Sequence, residues 1–124
     1  MAIIAPIFQI CRDSPEIQNV FGSDPIRVYP FGGVDDTVET PYVIWQNVGG
    51  NPANYIGNRP DVDQFEVQID IYGKDLDIML SAATVLRDVL EKFGYITRLG
   101  SQEQDTVTKL YNMTFDYTIF TDRG

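Results

Sequence analysis

The sequence predicts an α+β fold: a mostly antiparallel sheet of four to five strands, with one long helix and short N-terminal helices packed on one face. Three segments carry that expectation. From Gln64 to Tyr72, Phe65, Val67, Ile69 and Ile71 alternate with Gln64, Glu66, Gln68 and Asp70, which puts apolar and polar side chains on opposite faces of a strand. From Leu110 to Phe120 the pattern recurs, with Tyr111, Met113, Phe115, Tyr117 and Ile119 set against Asn112, Thr114, Asp116 and Thr118. Between them, about Leu76 to Phe93, the apolar residues follow helical periodicity. Strands with one polar face belong to antiparallel sheets covered once, whereas parallel strands between two helix layers read as unbroken apolar runs.

The elements follow in order. Ile4 to Arg12 carries Ile4, Ile7, Phe8, Ile10 and Cys11 at mostly helical spacing, and Pro6 is tolerated in the first turn. Ser14 as N-cap, Pro15 at the first helical position and Glu16 at the positive end start a second short helix, which Gly22 stops. Ile26 to Tyr29 predicts a short strand, ended by Pro30 and a polar loop through Gly32, Gly33, Asp35 and Asp36 to about Pro41. Tyr42 to Val48 is rich in β-formers, and Gly49-Gly50-Asn51-Pro52 predicts its end. A loop of about a dozen residues follows, carrying Tyr55 and Arg59. Asp75 is the expected N-cap of the long helix and Gly94 its terminating residue. Tyr95 to Leu99 is a weaker strand, and Gly100 to Asp105 a polar turn.

The long helix is apolar over more than half its circumference, more than one sheet face requires. A second neighbour is implied, either the N-terminal helices or an adjacent subunit, and the internal explanation is favoured.

Its 124 residues suit one domain spanning 1–124. With 44% apolar and 12% aromatic residues, the chain can bury enough surface to offset the entropy of ordering it. The net charge of −9 and the scattered lysines and arginines argue against gripping a polyanion, which needs a local cationic patch. Such acidity suits solubility, or standing near DNA without adhering. Cys11, the one cysteine, cannot form an internal disulfide. No apolar run approaches membrane-spanning length.

Catalytic and cofactor-binding chemistry finds little support. Histidine is absent, which removes the usual general base near neutral pH and the commonest metal ligand. There is no paired-cysteine zinc motif and no glycine-rich phosphate loop. No catalytic residue, metal ligand or cofactor is therefore expected. The competing enzyme reading is a metal-dependent nuclease using Asp61, Asp63, Glu66 and Asp70. Against it, Glu66 and Asp70 stand four residues apart on one strand face, roughly 13 Å at the usual rise. A further alternative is an acidic inhibitor that mimics DNA, although the charge is spread along the chain. The preferred account of the acids is a solvated or partner-facing strand. Candidate interface residues are thus Tyr55, Arg59, Asp61, Glu66 and Asp70, while Trp45, within a strand, is better read as core.

Several segments together resemble the phage tail-completion family. They are the N-terminal Ala5-Pro6-Ile7-Phe8, Val28-Tyr29-Pro30, Pro41 to Gln46, Asn54-Tyr55, Arg59 to Asp63, Val67 to Tyr72, the long helix, and Lys109-Leu110-Tyr111 with Met113 to Phe120. The likeness spans nearly the whole chain, and it rests on order and spacing. It implies a tail terminator: a small α+β subunit, forming a homo-oligomeric ring, expected to be a hexamer, on the last ring of tail tube protein. Ring closure would stop tube growth and offer a joining surface to the head connector. DNA would pass through the lumen without specific binding, and no membrane is involved. The resemblance also implies a place in the virion, at the head-proximal end of the tail, after assembly in the host cytoplasm.

Overall fold

Ser14, Pro15 and Gly22 act as their chemistry predicts. The computed structural model describes residues 5–23, 25–31, 38–53 and 62–122. Helix α1 (Ile7–Arg12) begins later than the pattern suggested, because Pro6 takes the cap position with a non-helical ψ of 47°. Helix α2 (Pro15–Phe21) opens on Ser14, whose hydroxyl oxygen accepts from the Ile17 N–H, and closes at Gly22 with φ of +84°, a conformation that favours glycine.

Strand β1 (Val28–Pro30) is short and lies parallel to β2 (Tyr42–Ala53); the remaining ladders are antiparallel. Strand β3 (Val62–Gly73), helix α3 (Leu76–Leu90), β4 (Gly94–Gln104) and β5 (Tyr111–Asp122) complete the chain, and the sheet order is β1-β2-β3-β5-β4. This is the predicted α+β architecture, with five strands and one parallel pair.

Besides small shifts at the ends of β1, β3 and β5, four boundaries differ from expectation, each for a local reason. Strand β2 runs on through Gly49, Gly50 and Pro52, after a register shift between Asn47 and Gly49. A proline is tolerated there because β1 pairs only with Val43, Ile44 and Trp45, so beyond Trp45 the outer side of β2 makes no ladder bond among the described residues. Helix α3 ends at Leu90, where Lys92 and Phe93 donate to the carbonyls of Val89 and Leu90, tightening the last turn to three-residue bonds. Gly94 is the first residue of β4 and not a left-handed cap. Strand β4 continues to Gln104, absorbing its polar residues through two register shifts, and the turn falls instead at Asp105–Leu110. There the Asp105 carboxylate accepts from the N–H groups of Val107 and Thr108, which holds its pKa below the usual range.

All three helices cover the same face of the sheet. Val43, Trp45, Phe65, Val67, Ile69, Ile71, Met113, Phe115, Tyr117 and Ile119 form that face and share one core with Ile7, Cys11, Ile17, Phe21 and the buried side of α3. Helix α3 packs on β3, β4 and β5, and α2 packs on α3, so the internal explanation accounts for much of its apolar width. The remainder stays open, with Ile78 56% exposed. At the C-terminal end of α3, the buried Tyr117 hydroxyl donates to the Leu90 carbonyl at 2.7 Å, satisfying a terminal helix acceptor from the sheet.

Two expectations about stability follow. The Asp75 carboxylate accepts from the N–H groups of Asp77 (2.9 Å) and Ile78 (3.2 Å), so Asp75→Ala should cost about 1 kcal/mol in a urea titration. Burial pushes the Cys11 thiol up to about 12, and burial followed by the Cys11 charge raises the Tyr117 phenol. A raised folded pKa favours the protonated, native form. Its contribution is complete below the unfolded values, roughly 8.5 for a thiol and 10 for a phenol, and is lost as pH climbs toward the folded ones. Stability should therefore decline above about pH 8.5, by up to roughly 1.4 kcal/mol per pH unit for each group. Replacing Cys11 with alanine should flatten the first part of that decline in thermal melts recorded from pH 7 to 11.

Candidate assembly surfaces

The polar face of the sheet is covered by no described helix. Cross-strand register places Tyr29 of β1, Tyr42, Ile44 and Gln46 of β2, Glu66 to Tyr72 of β3 at alternate positions, and Asn112 to Phe120 of β5 likewise, on this one surface. Tyr42 stacks on Tyr72 at 4.9 Å between ring centroids, and Tyr29 meets Tyr42 edge-on at 6.5 Å. Three strands thus build one aromatic ladder. Sequence reading missed it, because the adjacency of Tyr29 depends on β1 pairing in parallel with β2.

The predicted interface residues fare unequally. Tyr55, Arg59 and Asp61 lie outside the described residues, as does Asp35-Asp36. Asp70 is half-buried at the centre of the open face, where Thr114 Oγ1 donates to Oδ1 and Gln68 Nε2 donates to Oδ2 at 3.4 Å. Each of its two oxygens thus has a partner within the subunit. Burial, and then the negative charge of Asp70, raises the pKa of Tyr72 beside it. Glu66, by contrast, is exposed and reaches over Gly49. Among the described residues, no group of three or more histidine, cysteine, aspartate or glutamate side chains is placed to share a metal ion. Trp45 is core, 5% exposed, and its indole N–H has no partner among the described residues.

A second surface follows β4. Eight of its eleven residues are exposed, and exposed large apolar side chains line this margin of the sheet, Tyr95 and Leu99 on β4, Phe93 just before it and Phe120 on β5, with Tyr95 and Phe120 in edge-to-face contact at 6.4 Å. Arg98 crosses to Asp116 at 3.6 Å, but the pair is largely solvated and contributes little to stability. Exposed aromatic and aliphatic groups along one margin of the sheet mark a contact region. The polar alternation expected of a solvated edge is absent here.

A half-buried clamp lies apart from both surfaces. Arg27 donates from Nε to the Pro41 carbonyl and from Nη2 to the Val20 carbonyl, tying the end of α2 to the entry of β2.

Among the described residues, one sheet face and the β4 edge carry no covering element, an arrangement suited to a structural subunit that works by surface contact. The chain belongs to the tail completion protein gp17 family, whose model matches residues 5–122. It is a structural protein of the phage virion and resides in the tail. In fold it is similar to a chain from the virion of a native gene transfer agent particle, with a TM-score of 0.64 at 11% identity, covering 94% of this chain and 91% of that one. No curated protein matches the sequence.

Proposed function

We propose that this protein is a tail terminator, a ring of identical subunits, expected to be six, that caps the tail tube. The family match over residues 5–122 carries this reading. The ring stops tube polymerisation and joins the tail to the head connector, acting as one domain from 1 to 124 without catalysing a reaction. Its separate surfaces, the open sheet face, the β4 edge and the exposed flank of α3, supply the lateral and axial contacts that a ring subunit needs. With a net charge of −9 per chain, the assembled lumen repels the DNA phosphates, so that DNA passes without being held.

Purified protein mixed with its tube protein should cap tube ends with ring-shaped density in electron micrographs, and phage lacking it should make overlong tails. Tubes that keep elongating at normal rate in its presence would defeat this reading. The ring should also fail to retain duplex DNA at low ionic strength; tight retention would refute the repelling lumen.

A further inference from the structure

The sheet has two unlike ends, and both are open among the described residues. At one end, β2 beyond Trp45 has β3 on one side only; at the other, β4 has only β5. Three successive antiparallel pairings separate these strands, so β4 runs opposite to β2. A second copy brought alongside by rotation about an axis along the strands therefore offers its β2 edge to β4 in antiparallel sense. An open, apolar edge strand is a template for pairing with another chain.

We propose that neighbouring copies join head to tail by antiparallel pairing of residues 94–101 of β4 with residues 46–53 of β2 in the next copy, in the register that sets Arg98 opposite Gly49 and stops short of the stretch that β1 occupies. This deepens the tail-terminator reading and rests on it. Charge complementarity favours a second copy as the occupant. Within one subunit, a Glu66 carboxylate oxygen lies 3.5 Å from where a Cβ on Gly49 would stand, and it makes no ion pair among the described residues. Glycine at 49 leaves that carboxylate accessible across the strand. An Arg98 arriving opposite Gly49 meets it, and Arg98 is 68% exposed and, among the described residues, held by a long contact to Asp116. The same register sets Leu99, 52% exposed, against Val48, 55% exposed at the β2 irregularity. Because the paired surfaces differ, the contact is heterologous and closes into a ring when the rotation between copies divides a full turn.

Opposed residues of an antiparallel ladder stand about 4.5–5.5 Å apart at Cα, within disulfide reach. The test combines Val48→Cys with Leu99→Cys in the full chain, oxidised in the presence of tube protein, with ring formation followed by electron microscopy. The native thiol of Cys11 is buried and will not compete. The expected result is a covalent ladder of multimers from the double variant and none from either single variant. Arg98→Glu should weaken assembly at least about tenfold, and adding Glu66→Arg should restore it. Circular dichroism of each variant separates misfolding from lost contact, and rescue by the second charge reversal cannot come from a misfolded chain. Rings that form normally while the double variant stays uncrosslinked and Arg98→Glu has no effect would overturn the edge pairing and leave the terminator reading intact. Absence of any ring or capped tube with the unaltered protein would overturn both.

Discussion

A valine at position 94 is expected to leave no soluble, folded protein. A Cβ built on Gly94 stands 2.7 Å from the Tyr117 hydroxyl and 2.8 Å from its ring carbon Cζ, and it overlaps the Thr118 carbonyl oxygen. None of these can retreat cheaply. The Tyr117 ring is buried, its hydroxyl is committed to the Leu90 carbonyl, and Thr118 belongs to the ladder that pairs β4 with β5. Alanine alone should cost about 3 kcal/mol, the upper part of the range for overpacked cores, and the two further methyl groups of valine exceed what the site can absorb. Soluble yield checks the valine variant and urea unfolding the alanine variant. Gly49→Ala is the control: among the described residues its Cβ meets the movable Glu66 carboxylate at 3.5 Å, so folding should be nearly unaffected.

The second large effect is expected at Phe21. This side chain is fully buried at the end of α2, within the core shared with α3. Truncation to alanine removes most of a ring from a site pinned on both sides, since the Phe21 carbonyl accepts from the Arg27 N–H and Arg27 in turn holds Val20 and Pro41. A loss of about 3–5 kcal/mol follows, a large share of the 5–15 kcal/mol that stabilises an ordinary domain. Chemical denaturation should show the midpoint falling steeply. A drop below about 1 kcal/mol would mean that the N-terminal helices are ornaments on a self-sufficient sheet and α3.

How far the fold was legible depended on whether local chemistry and tertiary pairing agreed. Where they agree, as at Ser14, Asp75, Gln64 to Tyr72 and Met113 to Ile119, the residues that start or line an element could be read directly. Where an element lies at the margin of the sheet, the usual breakers lose their force. Gly49, Gly50 and Pro52 interrupt a strand bonded on both sides, yet β2 past Trp45 needs bonds on one side only. Likewise β4 need not alternate, because neither of its faces is deeply covered. Gly94 signalled a helix end, while its structural demand is close approach to β5. Candidate contact residues have no comparable local signature. Of those in the described residues, Asp70 turns its carboxylate to Thr114 and Gln68, whereas Glu66 remains available. The apolar margin formed by Phe93, Tyr95, Leu99 and Phe120 assembles residues from separate elements that no linear pattern joins.

The position of β5 has a bearing on how the subunit is made. It follows all the other strands in the chain, yet it sits between β3 and β4. Until residues 111–122 have emerged from the ribosome, β4 has no described neighbour in the sheet and the core lacks Met113, Phe115, Tyr117 and Ile119. Chains cut short before that point lack the central strand that joins β4 to the rest of the sheet and so cannot complete the structure.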